Sequence, residues 1–460
     1  MKNTDKTEIF ESTPMPTAVA KLCIPTVLAT LVMVLYNLAD TFFVGELNDA
    51  VENAGVTLVA PVLLAFNAVN NLFGVGTSSK MSRALGSRDY DTVYRSSAFG
   101  FYSALIFSVI MAIGCTVLKT PLMRLLGADA TTWQTTSDYF FWTVTCGAVP
   151  AIMNVVISYL VRAEGEALHA SVGMMSGCVL NIILDPIFIL PWGLDMGAAG
   201  AGFATFIANC FACVYFLVIL YLKRKTTYVC IKPSMFSFRK DIAKDICVVG
   251  IPASIQNLLN VTGMTILNNF TASYNSAAAV AAMGIANKIS MVPLYCAMGI
   301  SQGIMPLISY NYASGNIKRM KQSITFTTKI SLGIIIVLAA GLYLGSGSVI
   351  AAFLNEPEVI SYGARFIHGM SLALPFLCID FVAVGVFQAC GMGRKALAFA
   401  VLRKIVLEIP ALFILNRLFP MVGLAYAQFA AELILSVAAV MVLVRMFRRL
   451  EREQAERLKA

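Results

Sequence analysis

Apolar residues in this chain gather in long runs instead of alternating with polar ones. Joins rich in charge, glycine or proline divide the runs into twelve segments, most of them near or above the roughly 20 residues with which a helix crosses a bilayer. The pattern therefore predicts an all-α polytopic membrane protein with twelve transmembrane helices. The predicted spans are 20–44, 54–82, 92–118, 133–161, 167–190, 197–222, 246–270, 277–309, 320–346, 358–388, 393–417 and 421–446.

Composition agrees with this pattern. Hydrophobic residues make up 58% of the 460 and charged residues 13%, with a mean hydropathy of +0.77, whereas soluble domains carry about 25% charged residues. The net charge of +9 comes from Lys and Arg in the joins after spans 2, 6 and 8 and in the C-terminal tail. By the positive-inside rule these segments are cytoplasmic. We therefore expect a multi-pass protein of the inner or plasma membrane with both termini in the cytoplasm, and the charge requires no nucleic-acid partner.

The chain also repeats itself. Ile24-Pro25 returns as Ile251-Pro252, 227 residues later, and Arg162-Ala-Glu-Gly165 is echoed by Gln388-Ala-Cys-Gly391 at almost the same spacing. Six spans per half give both halves the same orientation, so we expect two six-helix lobes in a parallel pseudo-two-fold repeat around a central cleft. The predicted divisions are a cytoplasmic segment 1–19, an N-lobe 20–222, a cytoplasmic linker 223–245, a C-lobe 246–446 and a basic tail 447–460.

Two aspartates lie within apolar runs. Asp40 belongs to the first span and Asp185 to the fifth, where a charge costs roughly 2.5–3.5 kcal/mol and usually faces the bundle interior. Asn181 precedes Asp185 by four residues and shares its helix face. Such oxygen ligands suit a hard cation such as sodium, but two neighbouring carboxylates could equally share protons. A purely structural cap or ion pair at Asp185 is the alternative without function.

Several motifs together carry a resemblance to a known family. They are Tyr36-Asn-Leu-Ala-Asp40, Gly86-Ser-Arg-Asp89, Arg162-Ala-Glu-Gly165, Asn181-Ile-Ile-Leu-Asp185-Pro186, Ile285-Ala-Asn-Lys288 and Gln388-Ala-Cys-Gly391. Over essentially its whole length the chain resembles the multidrug and toxic compound extrusion (MATE) transporters, most closely their MepA-like bacterial branch. The resemblance implies a V-shaped pair of lobes that exports organic cations and drugs in exchange for sodium or protons. It also implies an ion-coupling site that corresponds here to Asp40, Asn181, Asp185 and Thr205, with Na+ as one candidate occupant.

Two further sets of residues are candidates for function. A substrate cleft that suits flat cations needs aromatic, methionine and amide side chains; the candidates are Met33, Tyr36, Asn37, Phe66, Tyr139, Met153 and Asn154. The predicted C-lobe has its own intramembrane charges, which either neutralise one another or couple to transport. These are Lys288, Asp380, Arg403, Lys404 and Glu408. Some relatives build a second cation site from acids in spans 7 and 10; Asp380 matches one of them, but span 7 offers only amides.

We therefore expect a monomeric multidrug antiporter that works by alternating access and is coupled to H+, Na+ or both. It would bind small organic cations and lipophilic drugs, contact membrane lipids and need no cofactor beyond the coupling ion. The alternative is a lipid-linked oligosaccharide flippase of the same superfamily, although those tend to have more spans and a strongly basic cavity. An enzyme is not expected, because the sequence has no Ser/His/Asp set, metal-spaced histidine cluster or phosphate-binding loop.

Overall fold

The computed structural model describes residues 4–47, 49–274 and 276–459, and within those ranges every regular element is a helix. This confirms the predicted all-α class. A short helix, Thr4–Glu11, precedes twelve long helical segments, which are numbered here as spans 1 to 12. The first six are Met15–Glu46, Ala50–Gly86, Tyr90–Val117, Trp133–Ala163, Ala167–Ile189 and Gly197–Leu222. The last six are Lys240–Ala272, Ala277–Ala313, Ile317–Phe353, Pro357–Ala389, Gly393–Leu418 and Val422–Lys459.

Length and apolarity support membrane crossing for most of these spans. Within the described ranges, ten helices are long and apolar enough to cross a bilayer. Span 4 brings the number to eleven if its two helices, Trp133–Cys146 and Ala148–Ala163, count as one span bent by 47°. Span 11 contains Arg403, Lys404 and Glu408, which lower its hydropathy. The chain is thus a multi-pass membrane protein.

Polar caps keep the joins between spans short. Asp49, Asp89 and Asn316 precede spans 2, 3 and 9, and each side chain accepts a hydrogen bond from a backbone N–H of the first turn. The repeated motifs end spans 4 and 10 in the same way, because Gly165 and Gly391 both adopt a positive φ, of 93° and 74°. Glycine adopts a positive φ without the steric penalty that a Cβ atom imposes.

The chain divides into two compact units. The first contains Met1–Glu11 and Leu28–Ser254, and the second contains Ser12–Val27 and Ile255–Ala460. The predicted lobes assign each span to one lobe only, whereas spans 1 and 7 are shared between the units. The chain passes from one unit to the other within a few residues after Pro25 and again after Pro252. Both prolines lie inside continuous helices, where each removes a backbone hydrogen bond.

The segment after span 6 packs within the first unit, against its helices. Glu164 is buried and its carboxylate accepts hydrogen bonds from the Thr227 hydroxyl and from the backbone N–H of Tyr228. The Tyr228 ring is buried and stacks on Tyr90, with centroids 5.7 Å apart. Span 7 then begins at Lys240, whereas the predicted linker extends to 245. At the other end of the chain, span 12 continues as helix through the predicted tail.

Three stretches of the described helices have π-helical turns, which contain an extra residue and often occur at functional sites. They are Asn71–Val75 in span 2, Phe141–Cys146 in span 4 and Leu402–Glu408 in span 11. The third carries Arg403, Lys404 and Glu408, which are all buried. The extra residue changes which side chains of span 11 share a face, and the sequence pattern does not reveal it.

Candidate functional site

Close packing of spans 5 and 6 builds the core of the site in the first unit. A Cβ on Gly173 would overlap the ring of Phe216, so glycine permits the two helices to approach. Further along the same pair, Asn181 Nδ2 donates to Thr205 Oγ1 at 3.2 Å. Asn181 is 1% exposed and Asp185 is fully buried. Span 5 thus presents both side chains to the interior, as their spacing predicts.

Span 1 adds a phenol and a second carboxylate to this core. The Tyr36 hydroxyl is hydrogen-bonded to Thr205, and Asp40, Tyr139 and Asp185 are close enough to interact electrostatically with Tyr36. Asp40 also lies within electrostatic range of Asp185. Its Oδ1 atom is inaccessible to solvent and has no hydrogen-bond partner among the described residues. Two carboxyl groups therefore lie near each other, and the other polar groups beside them are hydroxyls and an amide.

A cavity of about 120 Å³ opens beside these residues. Its polar lining is neutral and includes Asn154, whose Nδ2 donates to Asn209 Oδ1 at 2.8 Å. The lining residues are Met33, Tyr36, Asn154, Val155, Met174, Gly177, Cys178, Asn181, Thr205, Ala208, Asn209 and Ala212. Methionine and amide side chains adapt to ligands of different shape, so this wall can accept small organic molecules next to the acids.

The structure brings together the four residues proposed for ion coupling, Asp40, Asn181, Asp185 and Thr205. Of the seven residues proposed for the substrate cleft, Met33, Tyr36 and Asn154 line the cavity. The other four do not. Phe66 and Met153 are buried among apolar residues and Tyr139 lies beside the aspartates. Asn37 is exposed, and its amide donates to the carbonyl of Met33 in its own helix.

Sequence reasoning missed Asn209 and Met174 in this cavity. Asn209 lies in span 6, four residues after Thr205, so helical spacing from Thr205 would have identified it. Met174 has no such signal, because the chain contains 22 methionines and most of them are ordinary packing residues.

The second unit contains a cluster of buried charges. Arg403 Nη1 donates to Asp380 Oδ2 at 3.0 Å, and Arg403 Nε lies 3.7 Å from Glu432 Oε1. Arg403 Nη2 donates to Asn260 Oδ1 in span 7. The Lys404 ammonium lies 2.7 Å from the Glu408 carboxylate, one helical turn along the same span. Apart from Glu432 and Asn260, these residues belong to the set predicted from the sequence.

One predicted member of that set lies elsewhere. Lys288 is exposed and forms no salt bridge among the described residues. In its place the structure adds Glu432 of span 12, which is fully buried. Glu432 lies inside the apolar run Phe429-Ala-Ala-Glu-Leu-Ile-Leu435, so the reasoning that identified Asp40 would also have found it.

The two sets of buried charges differ in the chemistry they support. In the first unit the carboxyls lie beside neutral donors, a setting in which a carboxylate can take up and release a small cation. In the second unit the acids lie beside Arg403 and Lys404, which are basic side chains of the chain itself and cannot be released as a mobile ion can. In the described ranges, no group of three or more His, Cys, Asp or Glu side chains is placed to hold a metal ion. A sodium ion in the first unit would need the Asn181 and Thr205 oxygens in addition to the two carboxylates.

Comparison with known proteins gives consistent results. The MatE family profile matches residues 25–187 and 252–414, two stretches that begin 227 residues apart. The chain is 30% identical over 450 residues to the multidrug export protein MepA of Staphylococcus saprophyticus, covering 98% of both chains. It is 31% identical over 435 residues to that of Staphylococcus aureus strain MRSA252, covering 94% of both.

A solved structure agrees with these sequence matches. It is an outward-facing multidrug resistance MATE family transporter of the MOP superfamily, and it superposes with a TM-score of 0.92 at 25% identity. The alignment covers 98% of this chain and all of that one. The twelve spans, the two matched repeats and the full-length relatives lead to one conclusion: the chain belongs to the MatE family.

Proposed function

We propose that this protein is a multidrug efflux transporter that exchanges organic cations and lipophilic drugs for protons, with sodium as the alternative coupling ion. The observation that carries the proposal is the placement of Asp40 and Asp185 within electrostatic range of each other, next to a cavity with neutral polar walls. The relatives named as multidrug export proteins support the substrate class. A transporter, not an enzyme, fits this set of residues.

Competition at the carboxylates would provide the coupling. A cationic drug that enters the cavity stabilises the ionised carboxylates and so favours release of the proton that they hold. The return of a proton in turn weakens the attraction for the drug. The hydrogen bonds that Thr205 forms with Asn181 and Tyr36 keep these side chains in place around the acids. Alternating access would then couple the release of one ligand to the binding of the other.

The energetics set a condition on this exchange. A tenfold ion gradient supplies about 1.4 kcal/mol, and moving a unit charge through 100 mV supplies about 2.3 kcal/mol. Exchange of one monovalent cation for one proton moves no net charge, so only the ion gradient drives it. Transport that responds to voltage would therefore indicate more than one ion for each drug molecule.

Uptake of a fluorescent organic cation into proteoliposomes tests the proposal. A pH gradient and a sodium gradient are imposed separately at clamped voltage, and wild-type protein is compared with Asp40→Asn and Asp185→Asn. The matched control is Glu358→Gln, which removes an exposed carboxylate at the start of span 10. We expect pH-driven uptake that both aspartate variants lose and the control retains.

The other outcomes lead to different conclusions. Uptake driven only by sodium, and lost in the same variants, would make sodium the coupling ion at the same site. Variants that still transport would remove the two aspartates from the mechanism. An absence of uptake under either gradient would favour a lipid-linked oligosaccharide as substrate.

A further inference from the structure

The charge cluster of the second unit contains an odd number of charges. Three acids, Asp380, Glu408 and Glu432, lie with two bases, Arg403 and Lys404, and all five side chains are buried. If every group were ionised, the cluster would carry one uncompensated negative charge. Such a charge is strongly unfavourable inside a helix bundle, where water cannot solvate it.

Hydrogen bonding shows which acid has the least support for a charge. Asp380 accepts from Arg403 at 3.0 Å, and Glu408 lies 2.7 Å from the Lys404 ammonium. Glu432 is fully buried, and neither of its oxygens has a hydrogen-bond partner among the described residues. Its nearest cationic atom is Arg403 Nε, at 3.7 Å. Asp380 Oδ1 is a further oxygen of the cluster without a donor.

The internal repeat relates part of this cluster to the candidate ion site of the first unit. The two stretches matched by the family profile begin 227 residues apart. The same spacing relates Asn181 of span 5 to Glu408 of span 11, and Thr205 of span 6 to Glu432 of span 12. Two residues of the cluster therefore correspond in the repeat to two residues of the candidate ion site, whereas Asp40 and Asp185 correspond to Leu267 and Leu412.

We propose that Glu432 binds a proton in the folded protein, so that the second unit has a proton-binding site of its own. Formation of an O–H bond on this carboxylate, with the proton taken from solvent hydronium, neutralises the excess charge of the cluster and makes Glu432 a hydrogen-bond donor. The charged groups that face Glu432 are Arg403, Lys404 and Glu408 of span 11 and Asp380 of span 10. Span 7 contributes the neutral amide of Asn260.

A proton suits this site better than a metal ion. Arg403 and Lys404 already supply two positive charges beside the acids, and they would repel a further cation. A proton forms a covalent O–H bond and needs no shell of oxygen ligands, whereas sodium needs several. The inference goes beyond the proposed function, which places exchange at Asp40 and Asp185. The two proposals are independent, and either can be wrong while the other is right.

Infrared difference spectroscopy tests the proposal on the full chain purified in detergent. Spectra at neutral and alkaline pH are compared for the carbonyl band of protonated carboxyl groups. The parent protein carries Asp40→Asn and Asp185→Asn, which remove the first-unit acids from the spectrum. We expect this parent to retain a protonated-carboxyl band, and Glu432→Gln in the same background to abolish it. Glu358→Gln, which removes an exposed carboxyl group at the start of span 10, is the control that should leave the band in place.

Two results would overturn the proposal. They are a parent without the band and a band that survives Glu432→Gln. Loss of transport in the Asp40 and Asp185 variants has no bearing on either of them, so failure here and failure of the proposed exchange are distinguishable.

Thermal unfolding supplies a second test that needs no spectroscopic assignment. Glutamine has the shape and neutrality of a protonated glutamate, so Glu432→Gln should leave the unfolding temperature close to that of wild type. Asp380→Asn removes an ionised partner of Arg403 and should lower it clearly. A Glu432→Gln protein that fails to fold, or that loses as much stability as Asp380→Asn, would mean that Glu432 is ionised, and the proposal would be wrong.

Discussion

The two units treat buried charge in opposite ways. In the first unit, Asp40 and Asp185 lie among the neutral side chains of Tyr36, Asn181 and Thr205. In the second, Asp380 and Glu408 form salt bridges at 3.0 and 2.7 Å with bases of the chain itself. A carboxylate with neutral neighbours can exchange a mobile cation, whereas one that pairs with arginine is held in a fixed arrangement. Under the proposed function, the first unit exchanges ions, and the fixed charge pairs of the second unit stabilise the fold.

The largest expected effect concerns Arg403. Arg403→Met removes the partner of Asp380 and the nearest cation to Glu432, and breaking a buried pair costs about 3–5 kcal/mol of folding free energy. We expect a large fall in the unfolding temperature of the detergent-purified protein. Arg365→Met, which removes an exposed arginine of span 10, is the control. A loss no greater than that of the control would contradict the structural role assigned to the cluster.

A contrast between two aspartates sharpens the comparison. Asp185→Asn should lower ion-driven uptake by roughly 10- to 150-fold, the equivalent of about 1.5–3 kcal/mol for a lost interaction with a charged group, and should leave stability close to wild type. Asp380→Asn should instead destabilise the protein. Proteoliposome uptake and thermal unfolding measured on both variants would separate the two roles. The same profile in both variants would remove the distinction between the units.

The repeated motifs that end spans 4 and 10 offer a further matched pair. Glu164→Gln weakens the hydrogen bonds that the carboxylate accepts from Thr227 and Tyr228, at a cost of about 1.5–3 kcal/mol because the acceptor is charged. We expect faster proteolytic cleavage of the segment after span 6. The equivalent change in the second repeat, Cys390→Ala, should leave cleavage there unaltered. Equal cleavage in the two variants would show that Glu164 does not hold this segment.

A smaller effect is expected at Thr205, which joins spans 1, 5 and 6. Thr205→Val keeps the volume but loses the hydrogen bonds to Asn181 and Tyr36, each worth about 1 kcal/mol. Uptake should fall by roughly 5- to 30-fold, and Thr205→Ser should retain most of it because the hydroxyl remains. Full activity in Thr205→Val would mean that this hydrogen-bonded connection is not needed for exchange.

The smallest effect is expected at Lys288. This side chain is exposed and outside the charge cluster, so Lys288→Gln should change the free energy of unfolding by less than about 0.5 kcal/mol. A marked loss of stability in a denaturation experiment would return Lys288 to the cluster. Comparing the free energies of unfolding of Lys288→Gln and Arg403→Met shows whether the stability of the second unit depends on buried charges more than on exposed ones.

Hydropathy and the internal repeat were sufficient to predict the number of spans and to single out Asp40, Asp185 and Asp380 as acids within apolar helices. Helical spacing placed Asn181 beside Asp185, because residues four apart share a face whatever surrounds them. The pairing of Asn154 with Asn209 was not predictable, since it depends on how spans 4 and 6 pack. The π-helical turns of span 11 depend on local backbone geometry that no periodic pattern encodes. The assignment of residues 12–27 to the second unit is likewise a property of tertiary contacts.

That assignment has a consequence for the order in which the chain folds. Residues 12–27 leave the ribosome well before the residues from Ile255 onward, which make up most of the unit they join. At 5–20 residues per second the wait is roughly 10 to 50 s. During this time the start of span 1 has none of its later neighbours and depends on lipid or on chaperones. A protein cut in the segment after span 6 should therefore yield two fragments that become stable only when they are made together.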